Sequence, residues 1–455
     1  MNEQTQRFIR ENANKDIRTL ALSGSKYPDV DMPFALDQIA GRQTARKKIP
    51  RWAAIDDVVY PPHLSMEQCS SEQTALYKAS MVEGETLVDL TGGFGVDFSF
   101  MSGGFKKAIY VERQKHLCEI ADSNFRVLKL AGVDVICGDG VEYLETLDHV
   151  SWIYLDPARR NEHGGKTYAI SDCMPDVTEI KDLLLAKADK VMVKLSPMLD
   201  WRKAIDDFGN CVSEVHIVSV DNECKELLLI MQREAAELKV VCVNDDEEFV
   251  FGSSDDTFRS EGVKEWRSDA SLRSVDNTQG VQEFRSSGVQ TYAWQANPHP
   301  SSLISHLTEV SQSPSLREGL GVGSLSTRQL VNSSTESTYL YEPNASIMKA
   351  GCFAELERAF GARQLERNSH LFVSEHFIED FPGRKFRVEK VTTLNKKDIK
   401  NALDGIVKAN ITVRNFPMSV DQLRKRLKIK EGGSDYIFAT TLMDKSHVLL
   451  LCSRL

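Results

Sequence analysis

No two of the nine cysteines stand in a C-x-x-C pair. That excludes a zinc ribbon and gives no sign of a disulfide framework. No histidine cluster has metal-ligand spacing, so no metal is expected. No apolar run approaches the roughly 18 residues that cross a bilayer. The opening stretch MNEQTQRFIRENANKD is polar and lacks the apolar core of a signal peptide. Together these absences predict a cytoplasmic chain with reduced thiols and no membrane partner. Positive charge is also short overall, with 56 basic residues against 66 acidic ones and a net charge of −10. The sum argues against a nucleic-acid partner, but the distribution of charge matters more than the sum.

Two segments run against the total. GRQTARKKIPR (41–51) holds five basic residues and no acid. Residues 384–430 hold fourteen basic residues and four acids. Taken together they favour an anionic partner. We single out Arg42, Arg46 and Lys47 in the first segment, and Arg424, Lys425 and Arg426 in the second, as RNA-binding candidates.

The chain has 455 residues, of which 41% are hydrophobic, which suits about three soluble domains with sizeable cores. Residues 1–80 read as a helical domain. Residues 81–250 alternate short apolar strands with helical segments, which predicts a Rossmann-like α/β sheet with helices on both faces. Seven strands are legible there: TLVDL, AIYVE, VDVICGD, WIYLD, KVMVKLS, EVHIVSV and ELLLIMQ. Only DNECK separates the last two, too little for a helical crossover, so the sheet ends in an antiparallel hairpin. Residues 252–338 are rich in Ser, Gly, Asp, Asn and Arg and read as a largely disordered insertion. Beyond them the pattern is α+β. It predicts a small ferredoxin-like domain over 339–390 and a second module over 391–455, with Ser419 as a helix N-cap.

The stretch LVDLTGGFGVD carries the chemistry. Asp89, Thr91, Gly92, Gly93 and Gly95 form a glycine-rich turn between a strand and a helix, the usual cradle for a nucleotide-like cofactor. Glu112 follows 23 residues after Asp89, at the tip of the second strand, where an acid suits the two hydroxyls of a ribose. A dinucleotide fold uses the same device. It is opposed by Phe98, which stands where the third glycine of G-x-G-x-x-G would fall, and by the terminal hairpin. Asp139 adds an acid after the third strand, and Asp156-Pro157 closes the fourth.

At these residues the sequence resembles the class I S-adenosylmethionine-dependent methyltransferases. Asp89, Gly92, Gly93 and Gly95 match the family's first motif, Glu112 its ribose acid and Asp139 its adenine-contacting acid. Asp156-Pro157-Ala158-Arg159 is similar to the Asp-Pro-Pro-x catalytic motif. A bacterial subgroup of the family carries QCSSEQTALYKA, DPARR, KLSP and YEPNASIMKAG followed by a THUMP-like module, and this chain shows each of them. The resemblance implies S-adenosylmethionine as cofactor and RNA, ribosomal or transfer, as substrate. It places Asp156, Pro157, Arg159 and Lys194 in the catalytic set. In the amino-methylating branch this Asp and the following carbonyl accept hydrogen bonds from an exocyclic amino group. Arg159 stands where an aromatic residue usually stacks on the base; a guanidinium can stack there or bind a phosphate.

Asp-Pro-x-Arg is also similar to the uracil C5 methyltransferases, but those need a cysteine after the fifth strand, and VKLSPMLD has none. Three alternatives stand beside the RNA reading. One is methylation of DNA, protein or a small molecule on the same fold. A second is a non-catalytic RNA-binding protein, and a third a nicotinamide oxidoreductase. Four intact strand-end acids oppose the second. Ser71, Glu72 and Thr74 read either as a lid over the cofactor or as the start of a capped helix.

Overall fold

The structure is a computed structural model that describes residues 2–159, 170–234, 237–252 and 338–455. The expected insertion lies outside the described residues except for its two ends, Gly252 and Thr338, which both belong to strands.

The first 80 residues form helices α1 (Glu3–Asn12), α2 (Ile17–Leu22), α3 (Met32–Lys48), α4 (Pro50–Ala53), α5 (His63–Gln68) and α6 (Glu72–Ser80). Side chains of Asn2, Asp16 and Ser71 cap α1, α2 and α6 by accepting orphan amides of the first turn. Ser71 and Thr74 thus form the capped start of α6, one of the two readings of this stretch.

The central domain runs β1 (Gly84–Asp89), α7 (Val96–Met101), β2 (Phe105–Glu112), α8 (Lys115–Val127), β3 (Val133–Cys137), α9 (Gly140–Thr146) and β4 (Val150–Leu155). It continues through β5 (Ala158–Arg159), β6 (Cys173–Met174), α10 (Val177–Lys187), β7 (Ala188–Leu195), α11 (Trp201–Phe208), β8 (Val212–Val220) and β9 (Glu223–Met231). Two further strands, β10 (Lys239–Asn244) and β11 (Glu247–Gly252), complete it. The strand order is β11-β10-β8-β9-β7-β4-β1-β2-β3. The sheet therefore has nine strands among the described residues, not the expected seven. β10 adds in parallel to β8, and β11 folds back on β10 around Asp245-Asp246. The expected hairpin is present, and β9 lies antiparallel to both β8 and β7. Its loop is Asp221-Asn222, both at positive φ, the backbone that a tight two-residue hairpin demands.

Period-two alternation sends neighbouring residues of each strand into different cores. Ile153 and Leu155 of β4 join Val191, Val193, Leu227 and Leu229 on one face, against α10 and α11. Trp152 and Tyr154 join Met192, Leu228 and Ile230 on the other, against Ile49, Trp52 and Met66 of the N-terminal helices and Phe98 and Phe125 of α7 and α8. The N-terminal segment thus supplies a wall of the sheet.

The C-terminal part comprises β12 (Thr338–Pro343), α12 (Ala345–Ala350), α13 (Phe353–Phe360), β13 (Arg363–Gln364), β14 (Phe372–Ser374) and β15 (Gly383–Thr393). After these come α14 (Lys396–Ala402), β16 (Asn410–Arg414), α15 (Val420–Leu427), β17 (Asp435–Thr441) and β18 (His447–Arg454). One seven-stranded sheet, β13-β14-β12-β15-β18-β17-β16, runs through the whole of it. The division expected at 390/391 falls inside β15, which pairs with β12 on one side and β18 on the other. Ile347, Ala350 and Leu356 share the core of the central sheet, and the Trp201 indole donates to the Ala350 carbonyl at 3.3 Å. The small module thus divides its apolar residues, with Leu340, Leu365, Leu371 and Val373 packing into a second core with Phe386, Phe438 and Leu450. Ser419 caps α15 in a full capping box with Gln422.

Candidate active site

Parallel strands present their carboxyl ends on one edge, so Asp89, Glu112 and Asp156 lie on that edge without any special device. Asp89 is buried and accepts the Thr91 amide at 2.9 Å. Burial, with Asp97, Asp156 and Glu112 nearby, pushes its carboxyl well above the ordinary range. The Thr91 hydroxyl accepts the Asp156 amide at 2.6 Å. One threonine therefore joins the turn after β1 to the end of β4.

The glycines of the turn do different jobs. A Cβ on Gly92 would sit 2.2 Å from the Tyr110 ring, so this position is fixed by packing. At Gly93, where φ is +56°, a Cβ would meet nothing nearer than the Thr91 carbonyl at 3.7 Å, so the backbone is open on that side. Gly95 also has positive φ and packs on Phe125. The buried Glu112 carboxylate accepts the Gly93 amide at 2.9 Å and the Gln114 amide at 2.8 Å, one on each oxygen. Each oxygen keeps acceptor capacity for a further donor. Asp139 is exposed and caps α9, with the Val141 and Glu142 amides both on Oδ1.

The Asp156 side chain is 42% exposed and receives the Lys194 ammonium on Oδ2 at 2.6 Å. Pro157 behind it is buried, and Arg159 follows in β5. Lys194 also lies 3.7 Å from Asp97. Asp97 in turn accepts the Ser70 hydroxyl at 2.7 Å and the Tyr154 hydroxyl at 2.8 Å, and sits 3.2 Å from the Lys78 ammonium. Lys78 is fully buried and makes a second ion pair with the buried Glu226 at 2.5 Å. Burial would drive Asp97 toward its neutral form, but Lys78 and Lys194 outweigh it and hold the carboxyl at about 2. For Lys194 burial acts to lower the pKa, and Asp156 and Asp97 reverse it and raise the group above its ordinary value. Sequence reasoning missed Ser70, Lys78, Asp97 and Glu226. The alternation of β4, β7 and β9 puts Tyr154, Lys194 and Glu226 on one face, but only tertiary packing brings α6 and α7 onto it.

Cys69 interacts electrostatically with Asp97 and Lys194, and burial pushes its thiol up to about 11. It is a protonated, half-buried thiol and not an activated nucleophile.

The basic candidates divide. Arg42 is buried. Its guanidinium pairs with Asp56 at 2.6 Å and donates to the Ala53 and Ile55 carbonyls. That corrects the expectation that it binds RNA, because the side chain is buried and its Nε and Nη2 donors join α3 to the end of α4 and the chain after it. Arg46 is exposed and bonds Asn14, and Lys47 is exposed. Arg424 is partly covered and donates to the Ala409 carbonyl. Lys425 and Arg426 are exposed on α15, with Arg426 giving one bond to the Leu394 carbonyl at 3.0 Å. Among the described residues, no group of three or more His, Cys, Asp or Glu could hold a metal ion, and no helix is long and apolar enough to cross a membrane.

Residues 383–454 match a THUMP domain-like family, and residues 339–382 match a ferredoxin-like domain. A crystal structure of a "putative methyltransferase" from Porphyromonas gingivalis W83 is 28% identical, with a TM-score of 0.73. The match covers 99% of this chain and 97% of that one, so the two share one fold from end to end. An rRNA methylase from Streptococcus thermophilus is 13% identical at a TM-score of 0.26 and covers 35% of this chain and 94% of its own. TrmK of M. capricolum, in complex with S-adenosyl-homocysteine, is 11% identical at 0.28 and covers 36% of this chain and 68% of its own. No curated protein matches the chain.

Proposed function

We propose that this chain, an S-adenosylmethionine-dependent methyltransferase by fold, methylates a base of RNA and that Asp156 engages the acceptor group. The observation that carries the reading is Asp156 itself. It is a half-exposed carboxylate at the end of β4, fixed through its backbone by Thr91 and through Oδ2 by the partly buried Lys194.

The turn fits the cofactor that the fold implies. The open side of Gly93 gives backbone access, Glu112 can accept ribose hydroxyls, and exposed Asp139 can accept an adenine amino group. S-adenosylmethionine, when bound, supplies a methyl group already activated on its sulfonium. The protein's work is then positional. Lys194 holds one oxygen of Asp156 and leaves Oδ1 for an exocyclic N–H of the base. Accepting that hydrogen bond raises electron density on the attacking nitrogen, an interaction that gains strength in the transition state. The Pro157 carbonyl is the second acceptor, and Arg159 stacks on the base or binds a phosphate. The THUMP domain-like match and the exposed Lys425 and Arg426 support RNA as the class of substrate. The protonated Cys69 thiol speaks against a covalent C5 route.

The test is mass spectrometry of nucleosides from RNA of a deletion strain. One methylated nucleoside should be lost, restored by the parent gene and not by Asp156→Ala. Glu112→Ala should weaken S-adenosyl-homocysteine binding roughly tenfold to a hundredfold in calorimetry. Unchanged binding would remove Glu112 from the cofactor site. An unchanged nucleoside profile would leave DNA, protein or a small molecule as the acceptor.

A further inference from the structure

Five charged side chains alternate in sign from the interior to the site edge: Glu226, Lys78, Asp97, Lys194 and Asp156. They come from β9, α6, α7, β7 and the end of β4. The inner pair is costly. Lys78 has no exposed surface and Glu226 almost none, and burying an ion pair by itself stabilises a fold little or not at all. Apolar side chains of matching shape would serve the core as well.

We infer that Lys78 and Glu226 are positioning residues: they set the charge on Asp97, which sets how Lys194 is shared between Asp97 and Asp156. This inference rests on the reading of Asp156 as the group that meets the acceptor. Lys194 lies 2.6 Å from Asp156 and 3.7 Å from Asp97, so the two acids compete for one ammonium. Lys78 supplies Asp97 with a cation of its own at 3.2 Å, which frees Lys194 for Asp156. Glu226 draws on that same Lys78 and tempers its effect. The hydroxyls of Ser70 and Tyr154 hold Asp97 from two other elements. Lys48 of α3 and Cys69 act on Lys194 and Asp97 from the N-terminal wall. Asp89 and Glu112 complete the set of acids on the strand ends. Because Lys78 lies on α6, the N-terminal helical segment is coupled directly to the reacting edge of the sheet.

The arrangement makes a prediction that mere loss of packing does not. Lys78→Met removes a cation, so Lys194 shifts toward Asp97 and Asp156 binds its proton more tightly. Glu226→Gln removes an anion and keeps an acceptor for Lys78, so Asp156 binds its proton less tightly. The two variants should displace the Asp156 titration in opposite directions, each by about half a pH unit. Packing damage would displace both the same way or neither.

The experiment is a carbon-13 NMR titration of carboxyl-labelled aspartate in the full chain, with the Asp156 signal identified by its loss in Asp156→Asn. If Lys78→Met does not fold, Lys78→Met/Glu226→Met removes the pair as a neutral unit. Asp97 then loses its nearest cation, and the Asp156 titration should move upward as in the single variant. Shifts of opposite sign in the two single variants, or an upward shift in the double variant, sustain the inference. An Asp156 signal that stays put in every folded variant overturns it. The titration uses no substrate, so opposite shifts without methylation of RNA would overturn the RNA reading and leave the coupling standing. In the transfer assay the acid limb of kcat should move with the titration while KM for S-adenosylmethionine holds within about twofold.

Discussion

The segments 41–51 and 384–430 both look basic in sequence, and the fold treats their charge differently. On the N-terminal side three cations turn inward, while Arg46 and Lys47 stay exposed. Arg42 joins Asp56 and two carbonyls, Lys48 donates to the Met66 and Glu67 carbonyls, and Lys78 disappears into the core between two acids. On the C-terminal side Lys425, Arg426 and Lys428 face solvent on or just after α15. A run of basic residues is therefore evidence of an anionic partner only after the internal demands on each side chain are met. By that measure α15 keeps Lys425 and Arg426 exposed for the proposed RNA, whereas in GRQTARKKIPR Arg42 and Lys48 serve the fold and Arg46, Lys47 and Arg51 stay exposed.

Three variants sharpen the contrast. Arg42→Met should cost about 2 kcal/mol of stability in urea unfolding, because it strands two carbonyls and one acid that the guanidinium now serves. The same variant should leave the salt dependence of RNA binding as it is. A stable Arg42→Met protein with a flattened salt slope would reverse the assignment.

Lys425→Gln/Arg426→Gln should do the opposite, with stability within about 0.5 kcal/mol of the parent. In filter binding its RNA affinity should fall about tenfold near physiological salt. The slope of log K against log salt should shrink by about 1.4 to 1.8. A parent-like slope would make α15 an ordinary solvated helix.

A third effect is confined to acid. Asp97 is held at about 2 against an ordinary 3.8. Its contribution to stability is complete above pH 3.8 and is lost as the pH falls through about 2. Acid unfolding followed between pH 4 and 2 should therefore carry a proton uptake that Asp97→Asn lacks. The exposed cations of α15 leave no such mark, so the Lys425→Gln/Arg426→Gln acid profile should match the parent.

The legible parts were those that local rules decide. Alternating strands, the hairpin after Val220 and the Ser419 cap follow from periodicity, turn chemistry and capping, which act within a few residues. The strand-end acids were legible for the same reason, since a glycine-rich turn after an apolar strand fixes where Asp89 lies. β10 and β11 lie within the expected 81–250 domain but were not read as strands, because only the seven apolar runs before them were counted into the sheet. Lys78 was invisible for a different reason. It sits in a helix of ordinary composition, and its role exists only because α6 packs on the face that carries Tyr154, Lys194 and Glu226. Arg42 failed the same way, counted as surface charge until α3 brought it against Ala53 and Ile55.

The central claim is that Asp156 serves the acceptor rather than the cofactor. The direct measurement is transfer of a labelled methyl group from S-adenosylmethionine to RNA of a deletion strain, by the parent and by Asp156→Asn, beside calorimetry of S-adenosyl-homocysteine on both. The account expects labelled RNA with the parent, at least a hundredfold less with Asp156→Asn, and cofactor affinities within about threefold of each other. Undiminished transfer by Asp156→Asn, or loss of transfer matched by an equal loss of cofactor affinity, would contradict it.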